Sequence, residues 1–166
     1  MENDLRYHEI LTSKKTLRIF LMLAVGFFVL FLWRMLSTDL NFLSILLLSL
    51  SVFFLFYMIN YRRLEICITK DILLLKFGLF SWRVPLRNIA ESKLDRISKF
   101  AYFGGAGIHF MWVKGRYRAS FNFLEYPRVV IIYKDKIGPI QDLSFSTKNP
   151  ESVLKVLDEA INISGK

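Results

Sequence analysis

Residues 56–69 read "FYMINYRRLEICIT", and within this stretch the hydrophobic pattern changes its period. Up to Tyr61 the apolar residues continue without alternation, as in a helix that is apolar all round. Beyond Arg63 they alternate, with Leu64, Ile66 and Ile68 on one face of an extended strand. Arg62 and Arg63 mark the seam. The chain therefore divides into an apolar helical part and a β part, and each can be followed outward from this point.

Toward the N-terminus lie two uncharged runs, Phe42–Tyr61 "FLSILLLSLSVFFLFYMINY" and Ile19–Trp33 "IFLMLAVGFFVLFLW". A hydrophobic fraction of 54% with sixteen Phe in 166 residues is high for a water-soluble chain, and these two runs account for much of it. If Arg34 turns its head group to the lipid surface, the first run extends to Leu36 and spans about 27 Å as a helix. The rival readings are a signal peptide, suggested by Lys14, Lys15 and Arg18, and the buried helices of a soluble protein. "RMLSTDLN" has no small-x-small cleavage site before the second run, which favours an uncleaved transmembrane hairpin of about 19–36 and 42–61. Lys14, Lys15 and Arg18 precede the pair and Arg62 and Arg63 follow it, whereas Arg34 in the connection is balanced by Asp39. This asymmetry predicts a multi-pass integral protein of the cell membrane with both termini cytoplasmic. Residues 1–18 then form a cytoplasmic N-terminal segment. The single Cys67 fits a reducing compartment, where it serves as a small buried side chain.

Toward the C-terminus, residues 62–166 carry 18 Lys and Arg against 10 Asp and Glu, while the first 61 residues carry 5 against 4. The basic surplus thus belongs to the β part, which suits a neighbouring anionic leaflet. Nucleic acid would suit the same charge, but no zinc-finger spacing, helix-turn-helix pattern or RNA-binding motif is present, and no nucleic-acid partner is expected.

Strands are predicted around "LEICIT", "ILLLKF" and "LFSWRVPLRNI", the last ending near Pro85. Ala90–Phe100 is of mixed character. "IHFMWV" and "RYRASFNF" form a hairpin through Lys114 and Gly115, with Tyr117, Ala119, Phe121 and Phe123 on one face and Arg116, Arg118, Ser120 and Asn122 on the other. "RVVIIYK" and "PIQDLSFS" complete the series. "NPES" then announces a helix of about 150–162, capped by Asn149, with Val153, Leu154, Leu157 and Ile161 on one face. About seven antiparallel strands and one amphipathic helix describe a small barrel or sandwich.

In layout, "ITKDILLLKFGLFSWRVPLRNI", the glycine-punctuated hairpin and "LSFSTKNPESVLKVL" resemble the pleckstrin-homology-like (bacterial PH) domains of small prokaryotic membrane proteins. The resemblance covers roughly Arg62 to Ile163. It implies a seven-stranded bent barrel plugged by the C-terminal helix, often preceded by transmembrane helices, with roles that are mostly unknown.

No catalytic set is legible. HExxH, CxxC and GxSxG are absent, His109 reads as an ordinary strand residue, and Glu91 and Asp95 sit in a basic stretch that reads as salt-bridged surface. No enzyme activity, metal or cofactor is expected. The sharper candidate is an anion-binding face made by Lys114, Arg116, Arg118, Arg128 and Lys134, for an anionic lipid headgroup or an acidic stretch of a membrane-protein partner. Its rival is a solvated basic sheet face. Phe100, Tyr102, Phe103 and Trp112 could line a groove for an added peptide strand or belong to the core. Gly104, Gly105 and Gly107 lack the GK[ST] and GxGxxG patterns of phosphate loops and are expected to make a corner. The function expected is a non-enzymatic, membrane-anchored binding module. The alternatives are a membrane scaffold that self-associates through strand edges, with Ser44, Ser49 and Ser51 letting helices approach closely, and, remotely, a hydrolytic enzyme.

Overall fold

The computed structural model describes residues 4–37, 40–97 and 106–164. Contacts divide the chain into a helical unit, Ser13–Arg62, and a β unit made of Met1–Thr12 together with Arg63–Lys166. The helical unit is therefore an insertion between two strands of the β unit, and the expected boundaries change accordingly. Leu5–Thr12, expected as part of a cytoplasmic tail, is strand β1.

In the helical unit, α1 runs Lys14–Ser37 and α2 runs Phe42–Asn60. Ser13 caps α1 through its Oγ, which accepts the Thr16 N–H at 3.0 Å, and Asn41 Oδ1 caps α2 by accepting the Ser44 N–H at 3.1 Å. No acidic residue occupies the first turn of α1, where Lys14 and Lys15 run against the helix dipole. The helices meet through small residues and stacked rings: Ser51 Oγ donates to the Ala24 carbonyl at 2.9 Å, and Phe27 stacks on Phe54 at 5.5 Å. Ser44 and Ser51 are thus buried within one hairpin, and Ser49 Oγ bonds the carbonyl of Ile45 in its own helix. Both helices are long and apolar enough to cross a membrane, and only 6% and 11% of their most apolar windows are buried within the chain. That low burial counts against the soluble-core reading, because a core helix would cover its apolar side chains within the chain.

In the β unit, β1 pairs antiparallel with β2 (Arg63–Thr69), which continues through β3 (Ile72–Phe77) to β4 (Phe80–Pro85) as a four-stranded sheet in sequence order. The second sheet has five strands, β5 (Ile89–Leu94), β6 (Gly107–Val113), β7 (Arg116–Asn122), β8 (Arg128–Ile137) and β9 (Ile140–Ser146), in the order β5-β8-β9-β7-β6. The described residues thus form nine strands rather than about seven. One pair, β7 with β9, is parallel. The sheets do not close into a barrel: β4 ends at Pro85, which has no N–H to extend a ladder, and a short 3-10 turn at Leu86–Asn88 carries the chain to the other sheet.

The inner faces of the two sheets meet through aromatic contacts. Phe77 packs on Phe121 and Phe123, Trp82 packs against Phe121, and its indole N–H donates to Tyr133 Oη at 3.2 Å. Burying each of the Phe77, Phe121 and Phe123 rings contributes about 1.5–3 kcal/mol. Helix α3 (Pro150–Ser164) packs Val153, Leu157 and Ala160 inward, with Leu154 and Ile161 half-buried. At its start, the carbonyl of Asn149 accepts the Val153 N–H. The hairpin turn is as expected from its sequence: Lys114 and Gly115 have φ of 49° and 77°, the pair of positive values that a tight β-hairpin uses.

β1 is held at its C-terminal end and at its middle. Thr12 pairs with Arg63, and its carbonyl accepts the Tyr126 hydroxyl at 2.8 Å. Glu9 points inward, where it accepts from the Thr147 hydroxyl and from the Lys148 N–H at 2.9 Å. Residues on both sides of the helical insertion are therefore parts of one hydrogen-bonded core.

Candidate functional site

The alternation of "RYRASFNF" is as read, yet its polar face is not solvated. Arg118, Ser120 and Asn122 on β7 are buried, as are Asp142, Ser144 and Ser146 on β9. Parallel pairing aligns them as rungs: Arg118 Nη2 donates to Asp142 Oδ2 at 2.8 Å, Ser120 and Ser144 hydroxyls meet at 2.9 Å, and Ser146 Oγ donates to Asn122 Oδ1 at 2.9 Å. The rungs repeat every second residue because side chains alternate faces along a strand.

At one end the ladder becomes an ionic cluster. Asp95 Oδ2 lies 3.5 Å from Arg118 Nη1 and 3.4 Å from Arg128 Nε, while Arg116 Nε lies 3.8 Å from Asp142 Oδ2. The Arg118, Arg128, Asp95 and Asp142 side chains are each at most 8% exposed, whereas that of Arg116 is 41% exposed. Arg128 also donates to the Ile97 carbonyl at 2.6 Å, and Arg116 reaches the Gln141 carbonyl at 3.4 Å. Three guanidinium groups face two carboxylates, so the cluster keeps one net positive charge.

Above this cluster opens a cleft of about 590 Å³. Lys93, Arg96, Lys114 and Arg116 line it together with Arg118, Asp95 and Asp142, and its remaining wall is aliphatic, including Val113, Val130 and Ile132. Five cations and two carboxylates leave an excess of three positive charges. A site that is cationic at some walls and apolar at others suits a phosphate joined to an apolar or glycerol-like body better than a free inorganic anion.

The five cations expected from sequence therefore separate. Lys114, Arg116 and Arg118 come together in the cleft, Arg128 lies buried against Asp95, and Lys134 is exposed but does not line the cleft. Arg118 and Arg128 are corrected from surface ligands to buried structural charges, because their carboxylate partners come from positions 24 and 33 residues away in the chain. Lys93 and Arg96 were missed. They belong to a stretch whose strand, β5, has little alternation, and Lys93 also pairs with Glu91 at 3.0 Å. Gly107 opens β6 at a φ of 110°, as a corner requires. Gly104 and Gly105 lie outside the described residues, as do Phe100, Tyr102 and Phe103. Trp112 is 73% exposed on the edge strand β6, beside Tyr117 at 5.2 Å.

A second group lies on the outer face of the four-stranded sheet. β1 and β2 place His8 opposite Cys67, with Glu65 two residues along the same face. His8 Nε2 and Cys67 Sγ lie 3.0 and 3.9 Å from Glu65 Oε1. The His8 hydrogen bond, helped by the nearby Arg63 cation, holds the Glu65 carboxyl below its usual range against the effect of burial. Burial, reinforced by Glu65, pushes the Cys67 thiol up. In the core, burial also raises the Tyr133 phenol well above its ordinary value. No protein-family model, curated protein or solved structure matches the chain, so function must be read from the chemistry of these sites.

Proposed function

We propose that the chain is a non-enzymatic, membrane-anchored module whose Lys114–Arg116 cleft binds the phosphate of an anionic lipid headgroup on the cytoplasmic side. The observation that carries this reading is the cleft itself, where cations exceed carboxylates by three and aliphatic walls adjoin them. The helical hairpin crosses the bilayer twice: its apolar surface is almost wholly uncovered by the chain, and lipid is the solvent that such a surface requires.

The pairing of Thr12 with Arg63 supports an even number of crossings, since both ends of the insertion must then emerge on one side. Cleavage after α1 would separate β1 from its partner β2, so an uncleaved anchor fits better than a signal peptide. Lys14, Lys15, Arg18, Arg62 and Arg63 favour the cytoplasm as that side. Within the cleft, Asp95 and Asp142 are engaged by guanidinium groups and serve to hold the cations in place.

Calorimetric titration of the full chain in neutral detergent with short-chain phosphatidylglycerol and phosphatidylcholine tests the reading. Anionic lipid is expected to bind at least about tenfold more tightly, which corresponds to about 1.4 kcal/mol. Equal affinity for the two lipids would refute it.

A further inference from the structure

We propose that His8, Glu65 and Cys67 form a binding site for a borderline divalent cation of the zinc type, with water completing its coordination. The three residues offer an imidazole nitrogen, a carboxylate oxygen and a sulfur, all within 4.8 Å of one another. Such a mixed set suits zinc better than magnesium or calcium, which favour oxygen ligands alone. Three protein ligands with one open position is the arrangement of an accessible zinc site.

The site is built by the sheet. His8 and Cys67 are directly opposed across β1 and β2, and Glu65 shares their face while Leu64, Ile66 and Ile68 point into the core. Ligands carried on paired strands start close to their binding positions, so little chain entropy is lost on binding. Zinc–ligand bonds of about 2.0–2.3 Å place tetrahedral ligands about 3–4 Å apart, so the widest separation here closes by side-chain rotation alone. His8 is exposed and the other two are half-buried, which leaves an approach from solvent.

The charges also balance. The thiol of Cys67 releases its proton to solvent on binding, so one thiolate and one carboxylate neutralise the divalent ion while His8 binds as neutral imidazole. Two cations oppose the ion: Arg63 Nη2, 3.9 Å from Glu65 Oε2, and Lys76, opposite Glu65 on β3. Both are exposed, so their head groups can be solvated away from the ion. The bound ion clips β1 to β2, the two strands that flank the helical insertion.

Cobalt(II) titration of the untagged full chain in detergent tests the proposal, because a thiolate ligand to cobalt gives a near-ultraviolet charge-transfer band that oxygen and nitrogen ligands do not. The band is expected to saturate at one equivalent, to be displaced by zinc, and to vanish in Cys67→Ser. His8→Ala and Glu65→Ala should each weaken cobalt binding by at least about tenfold, the lower end of what losing even an outer-shell partner costs. His8 is exposed, so its replacement leaves the fold intact and the comparison valid. Absence of the band at one equivalent would overturn the proposal, as would unchanged affinity in His8→Ala.

Discussion

In the central strands of the five-stranded sheet, β8, β9 and β7, both faces are largely buried, yet they are held by different forces. The inner face carries Ala119, Phe121, Val129, Ile131, Leu143 and Phe145 against the other sheet. The outer face carries Arg118, Ser120, Asn122, Arg128, Asp142, Ser144 and Ser146. Inner residues gain from leaving water whatever their neighbours' orientation, whereas outer residues repay desolvation only through specific partners. The inner face should therefore tolerate changes of shape better than the outer face tolerates loss of a single partner.

The largest effects break that contrast most sharply. Arg118→Ala leaves Asp142 buried beside fewer cations and should cost about 3–5 kcal/mol, comparable to the cavity left by Phe121→Ala. Phe121→Leu, which keeps much of the volume, should cost well under half of that. Denaturant unfolding of the full chain in detergent ranks the three. If Arg118→Ala proved as mild as Phe121→Leu, water would have to reach the ionic cluster and the outer face would not be a second core.

A smaller effect comes from the Ser120–Ser144 rung. Ser144→Ala removes one neutral hydrogen bond and should cost about 1 kcal/mol, measured in the same unfolding series.

Tyr133 sharpens the comparison through pH. Its raised folded-state value means that the neutral phenol is favoured in the fold, so its stability contribution is full below its ordinary value of 10.0 and is lost as the pH rises above it. The melting temperature should fall as the pH rises from 10 to 12, and Tyr133→Phe should show a smaller fall over that range. An equal fall in both would place the alkaline sensitivity elsewhere.

Much of this architecture was legible in the sequence because it rests on local pattern. The change of period at Arg63, the Lys114–Gly115 turn and the "NPES" start of α3 each depend on neighbouring residues, and each element is where its signal stands. β1 was not legible. Glu9 occupies a core-facing position where an apolar residue would signal a strand, and its bonds to Thr147 and Lys148 come from the far end of the chain. Its partner β2 lies beyond the entire helical insertion. With β1 hidden, His8 could not be associated with Cys67, and the mixed-ligand group went unseen.

The burial of Arg118 and Arg128 was hidden for a related reason. Alternation identified which side chains share a face, but burial of Arg118 and Arg128 depends on Asp95 and Asp142, which no local pattern connects to them. Of the barrel and the sandwich expected, the barrel alone is overturned, because strand count does not determine closure: Pro85 and the turn after it interrupt the ladder between the sheets.

The proposed lipid recognition at the cleft would require this separation of buried from accessible cations. Arg96 and Lys114 are exposed, line the cleft and stand apart from the buried ion pairs, so reversing their charge should spare the fold. The most direct test is titration of Arg96→Glu/Lys114→Glu with phosphatidylglycerol and phosphatidylcholine, alongside its melting temperature. The account predicts an unchanged melting temperature and loss of the anionic preference. A folded double variant that still preferred phosphatidylglycerol as strongly as the native chain would contradict it.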